Sequence, residues 1–287
     1  MKMKKCLLKN FIGSLWKKQQ NRTAGQKKSL NWNLVIGSVL ITVVLLMAVV
    51  GLFYTPYPVN EMNVLEKNQA PSFAHLFGTD QFGRDIFSRV MEGASTSFFI
   101  AVCVVLVGAG VGTFVGSVTA YFGGWLDAVL MRVNDVLAAF PSVLLAICFV
   151  AMIGPGTYNL IVALGIVFIP SFTRVVRSEV LVQKELDYVR NAKLMGAGNL
   201  RILVFHILPN IKPVLKTSLL VGFQNAVLSE AGMSYLGLGV TQPDPSLGRM
   251  LSEAQGFLWN APWYALAPGL TILALTLGLG LVTSDKA

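Results

Sequence analysis

Charge is scarce in this chain. Asp, Glu, Lys and Arg make up 13% of its 287 residues, about half the ~25% usual in soluble domains. Hydrophobic residues reach 54%, which excludes a disordered chain and disfavours an ordinary soluble enzyme. Cysteine is limited to Cys6, Cys103 and Cys148. Cys6 lies in a lysine-rich stretch and the other two in apolar runs, so there is no disulfide framework, and the odd count leaves at least one unpaired within the chain. Cys103 and Cys148 read as small apolar side chains. Histidine is limited to His75 and His206. No HExxH, CxxC or GxSxG occurs, and no GxxxxGK[ST] phosphate loop; Gly25-Gln26-Lys27-Lys28-Ser29 lacks the first glycine. Metal hydrolysis, serine hydrolysis and nucleotide cleavage by this chain alone are therefore disfavoured.

What the chain has instead is long uncharged runs. Leu34–Tyr54 spans 21 residues without charge, enough at ~1.5 Å per residue to cross a ~30 Å hydrocarbon core. It is too long and too far from the start for a cleavable signal. Gly93–Leu126 is uncharged over 34 residues, and Gly108, Gly112 and Gly116 recur within it at the spacing that lets two helices approach closely in lipid. Val136–Thr173 is uncharged over 38 residues. That is too long for one crossing, and Gly154-Pro155-Gly156 divides it into a hairpin. The reading is an all-α integral membrane protein with six spans, over about 34–54, 97–121, 126–153, 157–176, 214–236 and 264–283. The third begins with an amphipathic stretch holding Asp127, Arg132 and Asp135.

Orientation follows from Lys and Arg. The basic segment 1–33 holds nine and no acid, and the side it marks collects nineteen against four (Lys67, Arg84, Arg89 and Arg249) on the other. The excess marks the cytoplasmic side. Both termini, including the ending 284–287, are then cytoplasmic, the loop 55–96 is extracytoplasmic, and His75 and His206 lie on opposite faces. The basic tail can meet anionic headgroups; topology already explains the excess, so nucleic-acid binding is disfavoured.

Three places carry chemistry. The inner segment 178–213 holds Tyr188, Val189, Arg190, Asn191, Ala192, Lys193, Leu194, Met195, Gly196 and Ala197. It reads as a helix stopped by Gly196 and Gly198, then a second stopped before Pro209. Val189, Ala192, Leu194 and Met195 face either lipid headgroups or a partner protein. Glu230 sits inside the fifth span, where a carboxylate costs ~2.5–3.5 kcal/mol at the centre. It either lines a path or pairs with an outer arginine, or else is solvated by hydroxyls such as Ser229 and Ser234. Asp80, Arg84 and Asp85 in the outer loop form either a gate-side or docking network, or a turn with surface ion pairs.

The stretch from Gly196 to Leu208-Pro209, twelve and thirteen residues on, resembles the EAA loop of ABC-importer permeases, and His206-Ile207-Leu208-Pro209-Asn210 resembles its oligopeptide/dipeptide/nickel form. Arg190-Asn191-Ala192 stands where that loop has Glu-Ala-Ala. Gly78-Thr79-Asp80-Gln81-Phe82-Gly83-Arg84-Asp85-Ile86-Phe87-Ser88-Arg89 is similar to that group's GTDxxGRDxxSR signature. Gly123–Asp127 and Glu230–Val240 resemble further segments of it. The resemblance implies a type I ABC importer permease fold and the C-type member of a two-permease pair. It further implies two cytoplasmic ATPase subunits that hold ATP and Mg²⁺, and an extracytoplasmic binding protein. This chain would hold no cofactor and no metal, and 188–197 would couple it to the ATPases. Peptides are the implied cargo, with nickel or a metal chelate as the alternative. A longer tail than Ser284–Ala287 is usual in the group. An ion-coupled secondary transporter would need several intramembrane ionisable groups and an inverted repeat; only Glu230 and no repeat is found.

Overall fold

The computed structural model describes residues 32–284. Most of the basic segment 1–33, Cys6 included, and residues 285–287 lie outside the described residues. Within them the chain is helical without strands; Thr79 and Asp85 form an isolated antiparallel bridge. The long elements are α1 (Trp32–Phe53), α2 (Ile86–Phe122), α5 (Thr157–Lys184), α9 (Lys212–Tyr235) and α11 (Pro262–Ser284). The shorter ones are α3 (Gly124–Ala139), α4 (Ser142–Ile153), α6 (Asp187–Leu194), α7 (Asn199–Ile202), α8 (Leu208–Asn210) and α10 (Leu247–Ala254).

Four of these, α1, α2, α5 and α11, are long and apolar enough to cross a membrane, and α3 with α4 would make a fifth if the bent pair counts as one span. The expected 126–153 helix is broken at Phe140-Pro141, where the two axes diverge by 94°. Pro141 has no N–H to donate and holds Phe140 at φ −89°, ψ 142°. The 12 residues of α4 reach only ~18 Å, short of a crossing by themselves.

Two helices extend beyond the expected spans for electrostatic reasons. Within the stretch 55–96, expected as a loop, the chain is already helical from Ile86, because Asp85 Oδ2 accepts from Ser88 N at 2.7 Å and caps α2. Arg89, read as a loop charge, is thus helical and buried. The helix that holds the expected 157–176 span runs on to Lys184. Arg177 pairs with Asp127 in fork geometry (2.9 and 2.8 Å), and Lys184 Nζ donates to the Ala120 and Tyr121 carbonyls at the end of α2. Nor does the second inner helix stop before Pro209. A π-helical turn over Leu203–Ile207 leads into α8, and Pro209 sits in its first turn, where a missing N–H costs no bond.

The glycine stripe makes the central contact. A Cβ at Gly108 would lie 2.8 Å from Phe168 Cβ, at Gly112 2.6 Å from Phe172 Cβ, and at Gly116 2.6 Å from Thr173 O. The α2 and α5 backbones therefore meet where only glycine fits. Ile100, Val104, Leu160, Leu164, Ala226 and Val227 continue the core around this seam.

Candidate functional site

Segment 178–213 is folded onto its own chain. Val189 and Ala192, three apart on α6, are buried with Val176, Val180, Ile202 and Ile207. This corrects the expectation that all four apolar members face outward. On so short a helix Val189 and Ala192 form the inner stripe, while Leu194 and Met195 leave its end 86% and 82% exposed. Asp187 in the first turn and Lys193 in the last complement the helix dipole. Tyr188 hydroxyl donates to Gln183 Oε1 at 2.8 Å. Arg190 lies near Glu185 and Asp187 at 3.5 and 3.9 Å, all exposed. Asn191 O accepts from Met195 N, and Ala197 N reaches back to Ala192 O. Gly196 closes the helix at φ +81° with open space around its Cβ direction. Its requirement is thus the left-handed backbone, not a close approach. With Leu200 and Phe205 also exposed, this segment presents large apolar side chains beside a short helix packed on its own chain.

Elsewhere a buried charge network braces the chain. Asp80 Oδ2 accepts from Arg84 Nε at 2.6 Å, and its Oδ1 accepts from the Phe82 and Arg84 amides. Arg84 reaches Glu253 Oε2 at 3.0 Å, and Arg89, 0% exposed, reaches it at 3.5 Å. Tyr264 hydroxyl donates to the same oxygen at 2.8 Å, and Gln242 donates to Oε1 at 3.0 Å. Asp85 also accepts from His75 Nδ1 at 2.9 Å. Burial alone would raise the Glu253 carboxyl. The Gln242 bond, the Arg89 charge, the Tyr264 hydroxyl and Arg84 together outweigh it and hold Glu253 below its ordinary value. Asp80, Arg84 and Asp85 therefore belong to a brace joining the loop between α1 and α2 to α10 and α11, not to a turn with surface pairs. The sequence reading missed Glu253 and Tyr264, because their partners lie far back along the chain. His75, placed on the outside by topology, is buried against Tyr57 and Asp85.

Glu230 is fully enclosed on α9. Its Oε1 accepts from Ser234 Oγ at 2.7 Å, and the Ser97 and Ser246 hydroxyls adjoin it. Among the described residues no basic group pairs with it within 4.0 Å. The arginine pairing is thus absent, and hydroxyl solvation is what the geometry holds. Glu230 does not line the open trough of about 490 Å³ that α4, α5 and α9 border. Among the described residues no group of three His, Cys, Asp or Glu side chains could hold a metal ion.

Residues 108–283 match the family described as binding-protein-dependent transport system inner membrane component. The chain is 38% identical over 261 residues to the dipeptide transport system permease protein DppC of Alkalihalophilus pseudofirmus, covering 91% of this chain and 86% of that one. It is 37% identical to the DppC protein of Haemophilus influenzae, over 88% of each chain. It is 40% identical to the glutathione transport system permease protein GsiD of Escherichia coli, over 83% of this chain and 80% of the other.

Proposed function

This chain belongs to the family of binding-protein-dependent inner-membrane transport components, and from that premise we propose that it is one permease subunit of an ATP-driven importer of peptides. The observation that carries the cargo is similarity over most of both chains to permeases named for dipeptides and glutathione. That favours peptides over nickel or a chelate.

In this reading α9 is the sixth span beside the four apolar helices and the broken pair. Its 24 residues reach ~36 Å, ample for a crossing. Both termini and α6 face the cytoplasm, and the Asp80–Arg84–Glu253 brace faces outward. A second permease completes the path, two ATPase subunits dock below with their own ATP and Mg²⁺, and a binding protein delivers cargo from above. The exposed Leu194-Met195 end of α6, with Leu200 and Phe205, seats in the ATPase. Residues 188–197 transmit its closure as a rigid lever, because Val189 and Ala192 tie α6 to α5 and α7. Asp80, Arg84 and Asp85 hold the outer side rigid while the inner side moves.

The test is growth of an amino-acid auxotroph on a dipeptide that supplies the missing residue. Deleting this chain abolishes growth on the dipeptide, and supplying it in trans restores growth while free amino-acid uptake is unaltered. Unchanged dipeptide growth in a deletion strain with no other peptide uptake system would overturn the reading.

A further inference from the structure

The face of α9 on the trough differs in kind from the faces that meet lipid. Outward positions of α1 (Val39, Val43, Leu46, Val50) and of α11 (Leu266, Leu270, Leu273, Leu277) are exposed and apolar, and the exposed hydroxyls of α1, Ser38 and Thr42, donate back to carbonyls of their own helix. The trough instead sets polar groups among apolar ones such as Phe168, Val221 and Leu228: Ser218, Asn225 and Ser229 from α9, with Ser171 of α5 and Ser142 of α4. Steps of seven and eleven residues put Ser218, Asn225 and Ser229 on one side of the helix. Asn225 is exposed midway along it. A carboxamide turned to hydrocarbon is costly, and polar side chains inside spans face a bundle interior or water. This face is therefore built for a wet environment.

Its second property is the absence of charge. No Asp, Glu, Lys or Arg lines the trough. Glu230, next in the chain to the lining Ser229, is turned away and enclosed by hydroxyls. Arg174, the nearest lining cation, appears only in the adjoining trough, which shares Ser142 and Ser171. Hydroxyls and carboxamides both donate and accept, so they can serve peptide N–H and C=O groups whatever the side chains are. A fixed charge would hold one class of cargo and repel another, and conduction needs binding weak enough to release.

We propose that the Ser171–Ser218–Asn225–Ser229 face is this chain's wall of the substrate path, and that it passes peptides by their backbone without regard to side-chain charge. This rests on the importer reading above. The second permease encloses the opposite side, leaving the trough filled with water and cargo.

The experiment has two arms in the assembled complex in proteoliposomes, with Cys6, Cys103 and Cys148 replaced by serine. In the first, Asn225→Cys and Leu273→Cys are treated with a charged methanethiosulfonate. Asn225→Cys reacts at least about tenfold faster, since thiolate chemistry needs water, and Ala-Ala-Ala supplied with ATP slows it. Equal reactivity at the two positions, as a partner helix seated flush on this face would produce, overturns the proposal. In the second, ATP-driven uptake of Ala-Ala-Ala, Ala-Lys-Ala and Ala-Glu-Ala is compared at saturating binding protein. Asn225→Asp lowers the Ala-Glu-Ala to Ala-Lys-Ala ratio by about tenfold or more, and Asn225→Lys raises it, as expected of a charge at contact distance. Identical ratios in all three proteins overturn it. If the unsubstituted complex carries none of the three peptides, the importer reading fails, while the cysteine arm still decides whether this face is wet.

Discussion

Glu253 gathers Arg84, Arg89, Tyr264, Gln242 and Arg249 around one carboxylate. Two of those arginines are almost fully buried, so removing the negative charge leaves them without compensation. Breaking a buried pair from one side costs about 3–5 kcal/mol. Glu253→Gln is therefore expected to lower the thermal midpoint of the purified protein by several degrees, read by intrinsic fluorescence in detergent. The pH dependence has a fixed sign. A carboxyl held below its ordinary value of 4.5 contributes stability that is complete above that value and is lost as pH falls through the lower folded-state value. The midpoint should be flat from neutrality down to about pH 5 and then drop, and Glu253→Gln should lack that component. Little of this brace was legible in the sequence. Asp80, Arg84 and Asp85 stood out as charges in an uncharged neighbourhood, but nothing local tied them to a glutamate 169 residues beyond Arg84. Glu230 was legible as an anomaly, and its serine cage only in part, because Ser234 is one helical turn away while Ser97 and Ser246 come from other elements.

Among the elements, the α2–α5 seam was the most readable, because its cause is periodic. Glycines every four residues can only serve one stripe. Gly112→Leu drives a branched side chain into Phe172 and should cost more than about 3 kcal/mol by overpacking, with little mature protein recovered from membranes. Gly110→Leu, on the same helix but with open space at its Cβ, should leave yield unchanged. The break at Pro141 was less readable, since the surrounding apolar run hides a bend that only the proline reveals. For α6, the pattern identified a helix without saying which side was inward. Leu194→Asp with Met195→Asp should leave insertion and assembly near normal, because both side chains are already exposed. Binding-protein-stimulated ATP hydrolysis should fall by more than about tenfold, as expected for loss of apolar anchors at a docking surface. Gly196→Val acts differently, straining a backbone at φ +81° by about 1–2 kcal/mol. It should weaken the same coupling to a smaller degree.

At the scale of the whole molecule, composition and the glycine and proline punctuation made the helical membrane class legible, and the bias of Lys and Arg gave an orientation. Cysteine labelling in intact cells tests that orientation, provided the positions are open. His75 is a poor choice because it is buried. Phe73 and Trp259, which are 105% and 98% exposed, are better. Phe73→Cys and Trp259→Cys should react with an impermeant maleimide from outside, and Trp125→Cys, 78% exposed and away from the docking end of α6, only after permeabilisation; the reverse pattern would invert the topology. Among the long helices α9 was the least legible, because it mixes hydroxyls, amides and a carboxylate into its apolar run. The claim that unites these scales is that peptide movement through this chain is driven by ATP in partner subunits and not by an ion gradient. The direct measurement is uptake of a radiolabelled dipeptide into proteoliposomes holding the complete complex and its binding protein. One set encloses ATP and Mg²⁺ with no gradient, and the other carries an imposed proton or sodium gradient with no nucleotide. Accumulation in the first set alone is the predicted result, and accumulation in the second set without ATP would contradict it.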